Sequence, residues 1–345
     1  MKSNEPINCH LAASNKYRHS EKGKLSKMRD ENSVKGKLRR QRYLHSEKGW
    51  EKLRLRARKY AEQQKRQKFA DRYKRQKEVL DIIERSSNRK LKREHTFFDL
   101  KDTLTNRRLR VDGCFEDGER ESVIIELNGA QHYLPIRFGN ISQSRAIRNL
   151  HDYQRRERIK QQYCMDNSFK FVCIPFYIPN DSIIDFFHYQ LEKNQHKVIV
   201  EKTFDFAYAH RLNNDILDEE DNQTLFEKCN NKNFHGHNAL LKVAIKGFVD
   251  PLTGMVINFN DLKRIVKKVL ELFDHKNLNL DFEDNLGVTT CENTIRKLWE
   301  LLSVELPNLY RLELSETNSS LCVLRREDLD LREIHGRERK QRTNV

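Results

Sequence analysis

The sequence predicts an α+β protein, and three patterns along the chain support that fold class. Residues 204–209 alternate large apolar side chains with small or acidic ones, which is typical of a β-strand with one buried face. Residues 260–273 carry apolar side chains at helical spacing with lysine and arginine between them, which indicates an amphipathic helix. Residues 51–85 contain neither proline nor glycine and are rich in Arg, Lys, Gln and Glu, so we expect a long solvated helix there.

The positive charge of the chain is concentrated near its start. In 345 residues, 66 Lys and Arg stand against 51 Asp and Glu, a formal net charge of +15. Residues 16–96 hold 29 basic and 11 acidic residues, a local charge of +18. The seven cysteines lack CxxC spacing, and no segment has the apolar length of a signal peptide or membrane span. We therefore expect a soluble protein in the cytoplasm or nucleus, with no membrane partner.

Residues 1–96 are predicted to form a basic helical arm. Three short units, SEKGK, SVKGK and SEKGW, follow one another at intervals of 13 residues, a period too short for a solenoid repeat. A row of basic side chains releases counterions on meeting a phosphate backbone, and aromatic residues between them offer stacking surfaces for bases. We therefore predict that this arm binds DNA or RNA; the alternative is a charged tail that only keeps the protein in solution. The interleaved aromatic residues are Tyr17, Tyr43, Trp50 and Tyr60.

Residues 97–198 predict a mixed α/β domain with a pair of carboxylates at its centre. Asp112 and Glu126 lie at the ends of two strands expected to be neighbours. Two carboxylates placed in this way could hold Mg²⁺ for phosphodiester cleavage. His132, six residues after Glu126, could act on the attacking water or on the leaving group.

The order VDG, IIELNGAQHY, RERIKQQYC and VCIPFY resembles the PD-(D/E)xK nucleases of the very-short-patch-repair and homing-endonuclease type. The resemblance implies a restriction-endonuclease-like fold for residues 97–198. Two positions depart from the pattern, since Asn128 stands where Lys is usual and Glu157 where these nucleases often keep Asp. A domain that binds DNA without cutting it is therefore the alternative. The site residues implied are Asp112 and Glu126 as metal ligands, Gln131 and His132 at the active centre, and Lys160 on the supporting helix.

Residues 229–238 contain a cysteine and two histidines at a spacing that suits a metal centre. In an extended strand, successive side chains point to opposite faces, so His235 and His237 share a face with only Gly236 between them. Zinc held by three protein ligands keeps one position open for substrate, and His210 in the preceding strand is the best third ligand. Three histidines with Cys229 nearby predict a catalytic zinc site; the alternative is a polar turn and a buried thiol.

Six sequence blocks within residues 200–327 resemble the 6-pyruvoyltetrahydropterin synthase family, which includes the 6-carboxytetrahydropterin synthases. The blocks are FAYAHRL, CNNKNFHGHN, GFVDPLTGMVINFNDLK, LFDHKNL, TCEN and LSET, in the family's order. The resemblance implies the tunnelling fold (T-fold) for residues 199–327 and assembly into a homo-oligomer, a trimer or hexamer. The elements predicted from the residues run in the same order, ββααββ. Residues 328–345 are expected to form a charged tail.

The same resemblance implies a substrate and a role for each site residue. The substrate is 7,8-dihydroneopterin triphosphate, which is converted to 6-pyruvoyltetrahydropterin with loss of triphosphate, and zinc acts as a Lewis acid. Cys229 matches the thiol that abstracts a proton, and the pair Asp274 and His275 matches the relay that activates it. The other matching positions are Glu316, which would bind the pterin ring, and Thr290 and Glu292, which would line the pocket from a neighbouring subunit.

Two other functions stay open from the sequence alone. The same zinc fold makes 6-carboxytetrahydropterin for queuosine-type deazaguanines, although the five residues between Cys229 and His235 resemble the pyruvoyl branch more closely. The second alternative is a Mg²⁺-dependent DNA endonuclease of a virus or mobile element, in which the pterin domain is a passenger. A protein that only binds nucleic acid would show neither activity.

Overall fold

The computed structural model describes residues 70–116, 118, 121–193, 195–282 and 286–329. The predicted arm up to residue 69 and the predicted tail from residue 330 therefore lie outside the described residues. The described residues divide into two compact units: one contains residues 70–86 and Phe176–Tyr189, and the other contains Ser87–Pro175 and the described residues from Gln190 onward. Among the described residues, no helix combines the length and hydrophobicity that crossing a lipid bilayer requires.

The described helices and strands group into two sheets with flanking helices. The first sheet has the strand order β1-β2-β3-β4, and the second has the order β7-β5-β6-β8-β9. Along the chain the elements are α1 Ala70–Ser87, β1 Lys92–Lys101, β2 Arg108–Phe115, β3 Val123–Asn128, α2 Gln143–Asp166, β4 Lys170–Pro175, α3 Ile183–Lys193, β5 Lys197–His210, α4 Glu219–Phe226, β6 His235–Phe248, α5 Phe259–Leu270, β7 Lys276–Asn277, α6 Cys291–Glu305, β8 Leu309–Thr317 and β9 Ser320–Arg325.

The smaller unit contains helix α1, the described end of the helix predicted for residues 51–85. Its apolar residues Val79, Leu80 and Ile83 are spaced for one helix face and are 0–2% exposed. The Arg75 guanidinium donates a hydrogen bond to the carbonyl of Ile178. The strand that follows α1 begins at Lys92, so the boundary predicted at residue 96 falls inside β1.

The first sheet of the larger unit is mixed. β1, β2 and β3 are antiparallel neighbours, and β3 pairs with β4 in parallel across the connection through α2. The β3 residues Val123, Ile124 and Ile125 are at most 2% exposed, which explains their continuous apolar run. β2 and β3 are neighbours, as predicted, so Asp112 and Glu126 lie on adjacent strands. Helix α2 begins after Ser142, whose hydroxyl accepts a hydrogen bond from the Arg145 amide.

A buried ion pair anchors α2 beside β1. Both Arg155 and Asp102 are 2% exposed, and two parallel N–H···O bonds of 3.0 Å join the guanidinium to the carboxylate. The same carboxylate accepts hydrogen bonds from the amides of Leu104 and Thr105. Burial by itself would raise the pKa of Asp102, but the hydrogen bonds from Arg155 and the backbone hold it well below its usual value.

The second sheet carries the predicted ββααββ order, with two additions. Helix α4 lies in the connection between β5 and β6, and the two-residue strand β7 pairs with β5. One face of the sheet packs on α5 and α6 in a continuous apolar core. β6 begins at His235, so both His235 and His237 lie within the strand. Core residues that are 0% exposed include Leu241, Leu262, Val266, Leu298, Leu302 and Leu312.

Replacing Asp102 with Asn should destabilise the protein by about 3 kcal/mol, because it leaves the Arg155 charge buried and without a counter-ion. Urea denaturation followed by circular dichroism measures this loss as a lower transition midpoint. The matched control is Asp152→Asn, which removes a half-exposed carboxylate 3.9 Å from the same guanidinium and should change stability little. Equal effects of the two substitutions would contradict the role given to the buried pair.

Candidate metal centre and substrate site

The three predicted histidine ligands lie together at one end of the second sheet. His210 is the last residue of β5, and its cross-strand partner is His235, the first residue of β6. His237 pairs with Tyr208 and lies on the same face as His235. The Nε2 atom of His210 is 3.0 Å from Nε2 of His235 and 3.0 Å from Nε2 of His237. The ring nitrogens of the three residues lie within 4.8 Å of one another.

The surroundings of His210 favour the neutral imidazole that a metal requires. Its Nδ1 is 2.6 Å from the carbonyl of Thr289, a geometry that assigns the proton to Nδ1 and leaves the lone pair on Nε2. Burial, with a smaller contribution from the neighbouring His235 and His237, lowers the pKa of His210 to about 4, although the hydrogen bond to Thr289 opposes the shift. Three ring nitrogens at this separation cannot all be satisfied by hydrogen bonds to each other. A shared cation satisfies all three, so the residues present fit a zinc-type ion.

Cys229 lies in a short 3-10 helix, Glu227–Asn230, immediately ahead of β6. The Cys229 carbonyl accepts a 2.9 Å hydrogen bond from the amide of Leu212, two residues after His210. The buried Asn230 side chain donates to the Leu212 carbonyl at 2.7 Å. These two hydrogen bonds therefore hold the loop that contains Cys229 against the segment that follows His210. The thiol is partly exposed and has no hydrogen-bond partner among the described residues.

Asp274 and His275 follow α5 and lie against the same end of β5. The Asp274 carboxylate accepts a hydrogen bond from the Ala207 amide at 2.9 Å and lies 3.0 Å from Nδ1 of His275. The His275 amide donates to the Ala207 carbonyl, and its backbone adopts a left-handed conformation with φ 59°. The His275 side chain is 84% exposed. The carboxylate–imidazole pair predicted from the sequence is present, but the ring points to solvent and does not bond to Cys229 within one chain.

Glu316 on β8 is linked to the histidines by a residue that the sequence interpretation missed. The Tyr208 hydroxyl donates to Oε1 of Glu316, and the Tyr208 ring centroid lies 5.5 Å from that of His210. Burial and the Glu316 charge raise the pKa of Tyr208 far above its usual value, so the hydroxyl stays a donor. Tyr208 precedes His210 by two residues and therefore shares its face of β5, the signal that could have identified it.

Thr290 and Glu292 stand at the start of α6. The Thr290 hydroxyl caps the helix by accepting a hydrogen bond from the Asn293 amide at 3.3 Å. The side chain of Glu292 is exposed in the first turn. The structure therefore gives Thr290 a structural role in one chain and leaves Glu292 open to a neighbour. The adjacent Thr289, whose carbonyl contacts His210, was not predicted.

The carboxylates predicted in the first sheet also come together. Lys160 on α2 donates a 2.7 Å hydrogen bond to Oε2 of Glu126, and Asp112 accepts one from the Leu127 amide at 2.8 Å. Burial raises the pKa of Glu126 to about 8, although Lys160 opposes the shift. Burial also raises the pKa of Asp112. His132 is 3.3 Å from Glu157, and Gln131 is 6% exposed.

The class of the C-terminal domain follows from its geometry: three histidines converge at the end of an antiparallel sheet, as in a metal-dependent enzyme. The model of the 6-pyruvoyl tetrahydropterin synthase family matches residues 199–327. The chain is 40% identical to human 6-pyruvoyl tetrahydrobiopterin synthase over 134 residues, which cover 91% of that protein and 37% of this chain. It is 41% identical to the Dictyostelium discoideum 6-pyruvoyl tetrahydrobiopterin synthase over 133 residues, 97% of that protein and 38% of this chain.

Through this domain the chain belongs to the 6-pyruvoyl tetrahydropterin synthase family, whose members are lyases that use a metal. The solved structure of the Caenorhabditis elegans 6-pyruvoyl tetrahydropterin synthase is 36% identical and matches with a TM-score of 0.37, covering 96% of that chain and 38% of this one. The family model and the identity to the human protein confirm the predicted family membership of residues 199–327. The nuclease-like identity of residues 97–198 stays a prediction.

His237→Ala should lower the metal content by one ion per chain, because two imidazoles hold zinc far more weakly than three. Elemental analysis of the purified protein measures this change. His275→Ala is the matched control, since its exposed ring lies outside the cluster, and it should keep the wild-type metal content. Metal lost equally from both variants would contradict the three-histidine centre.

Proposed function

We propose that residues 199–327 convert 7,8-dihydroneopterin triphosphate to 6-pyruvoyltetrahydropterin, with loss of triphosphate, at a zinc site formed by His210, His235 and His237. This proposal rests on the convergence of the three Nε2 atoms on one face of the sheet. The Nε2 atom of His210 lies 3.0 Å from that of His235 and 3.0 Å from that of His237. The names of the relatives that match this domain almost end to end support the product, and the substrate is the one that the family resemblance of the sequence blocks implies. Bound zinc supplies Lewis-acid polarisation of the substrate's side-chain oxygens.

Glu316 recognises the pterin ring. Its Oε1 accepts the Tyr208 hydroxyl, which orients the carboxylate and leaves Oε2 for the ring. An ionised carboxylate pairs well with the adjacent amino group and ring N–H of a pterin, since both are donors. Tyr208 therefore acts as a positioning residue for Glu316, and its ring also packs against His210 and His237.

Cys229 removes protons from the substrate, and the Asp274–His275 pair receives them. The thiol is partly exposed and without a hydrogen-bond partner among the described residues, so it is available to a base. His275 is oriented by Asp274 at 3.0 Å but points to solvent, with 84% of its side chain exposed. A second copy of the chain can therefore bring its own His275 to the thiol, which makes the active site a property of the assembled oligomer.

The outer strand of the second sheet supports such an oligomer. β9 forms one edge, and its residues Leu321 and Val323 are 55% and 39% exposed. A free strand edge with exposed apolar side chains is costly for a monomer and is usually covered by another strand. A trimer or hexamer closes these edges by pairing each sheet with the next.

Cys229→Ala should lower turnover of dihydroneopterin triphosphate by at least about 10³-fold, because no other thiol adjoins the loop ahead of β6. Substrate consumption by liquid chromatography measures the effect, and unchanged zinc content and melting temperature show that the fold survives. Wild-type turnover in this variant would overturn the role of the thiol. Release of acetaldehyde by the wild type would move the protein to the 6-carboxytetrahydropterin branch.

A second function, Mg²⁺-dependent phosphodiester cleavage by residues 97–198, is favoured by one contact. The Lys160 ammonium lies 2.7 Å from Glu126. It therefore provides the amine beside the carboxylate pair that these nucleases usually take from a lysine at the position of Asn128. Asp112 and Glu126 would hold the metal, with Gln131 and His132 beside them. The predicted basic arm of residues 1–96 would add affinity for the nucleic-acid backbone; its residues 1–69 lie outside the described ranges.

Glu126→Gln should abolish Mg²⁺-dependent nicking of plasmid DNA, because an amide replaces the carboxylate that would hold the metal. The folded carboxyl keeps its proton up to about pH 8, whereas the unfolded one releases it near 4.5, so wild-type stability falls between these values as the pH rises. The melting temperature of the metal-free variant should therefore fall less than that of the wild type between pH 5 and pH 8.

Glu121→Gln, which alters a half-exposed carboxylate just ahead of β3, is the matched control and should change neither property. Nicking that survives Glu126→Gln would exclude this site.

A further inference from the structure

A second cluster of metal-ligating side chains lies between the two sheets of the larger unit. Its members are Glu157 on α2, Cys173 on β4 and Asp250 in the turn after β6. One carboxylate oxygen from each acid and the Cys173 sulfur lie within 4.8 Å of one another. Cys173 is 4% exposed, and the three residues come from parts of the chain that are distant in sequence. None of them belongs to the histidine centre.

Hydrogen bonds hold the side chains of this cluster in place. Oε2 of Glu157 accepts a 2.8 Å bond from the Asn128 amide and lies 3.3 Å from His132. Oδ1 of Asp250 accepts the amides of Leu252 and Thr253. The Tyr133 hydroxyl donates to Oδ2 of Asp250 at 3.2 Å and lies 3.8 Å from the Cys173 sulfur. Outer hydrogen bonds of this kind orient the ligands of protein metal sites.

Two observations favour a bound cation within this hydrogen-bond network. Asn128, whose amide contacts Glu157, is 1% exposed, and its Oδ1 has no partner among the described residues. Glu157 has His132 beside it at 3.3 Å, whereas no lysine or arginine of the described ranges forms an ion pair with Asp250. A carboxylate held partly out of water without a counter-charge is unfavourable, and a divalent ion removes that cost.

We propose that Glu157, Cys173 and Asp250 bind a zinc-class divalent cation that fastens the turn after β6 to the first sheet. A thiolate beside two carboxylates selects zinc over magnesium, because magnesium avoids sulfur ligands. Binding converts the Cys173 thiol to a thiolate and releases its proton to solvent. The ion cross-links α2, β4 and the β6 turn, so its role is to stabilise the contact between the central region and the pterin-synthase domain.

Cobalt substitution in the full-length protein tests this site, because a thiolate bound to Co²⁺ gives a charge-transfer band that histidine ligands do not give. The His237→Ala variant removes one ion from the histidine centre and should still bind one Co²⁺ with the sulfur band. Cys173→Ser should lose the band and one ion, and chelation should lower the melting temperature of His237→Ala but not that of Cys173→Ser. The matched control is Cys164→Ser, which changes another buried thiol of the larger unit and should keep both the ion and the band.

A His237→Ala protein that binds no metal, or binds it without the sulfur band, would overturn the proposal. A band that persists in Cys173→Ser would do so as well, since the sulfur would then come from elsewhere. If Cys173→Ser does not fold, the spectra of the wild type and of His237→Ala still decide the question. Failure of turnover in these proteins would concern the histidine centre alone, because the two clusters share no residue.

Discussion

The antiparallel pairing of β5 with β6 is the interaction on which the enzyme centre depends. The ladder runs from Lys197 opposite Phe248 to His210 opposite His235, so one register fixes the whole hairpin. Phe204 and Phe206 of β5 are buried in the core that α5 and α6 cover. The same alternation of side chains along β5 brings His210 to one face with its partners. A slip of one residue would expose the phenylalanines and separate the histidines. Hydrophobic burial of about 2 kcal/mol for each such side chain therefore also maintains the ligand geometry.

The first sheet differs from the second, because charged side chains occupy much of the face that its helix covers. Two hydrogen bonds join Arg155 to Asp102, although the Arg155 Nε is buried without a partner among the described residues. Glu126 has one buried oxygen with no partner among the described residues, and burial raises its pKa. A buried polar atom without a hydrogen bond costs free energy, so both groups reduce the stability that burial at this helix face provides.

The sequence was sufficient for the elements whose pattern is local. The period of two in residues 204–209, the apolar stripe of α5 and the spacing of His235 and His237 predicted their structures correctly. The sequence pattern could not predict the roles of Tyr208 and Thr289, because these depend on contacts between segments distant in sequence. It could not predict the exposed ring of His275 either, because that residue adopts a left-handed backbone conformation in a turn. The first residues of β6 are polar, because a metal centre requires polar ligands where a strand ordinarily continues its apolar alternation.

The short connection between the central region and the pterin-synthase domain has a consequence for how the protein would meet nucleic acid. Only residues 194–196 separate α3 from β5. In the proposed trimer or hexamer, each subunit would therefore contribute one copy of the predicted basic arm and one copy of the pair Asp112 and Glu126. Several weak phosphate contacts presented together raise the effective local concentration of each, so avidity would replace single-site affinity. In the proposed oligomer, the predicted basic segments of several subunits would therefore act together on one nucleic acid.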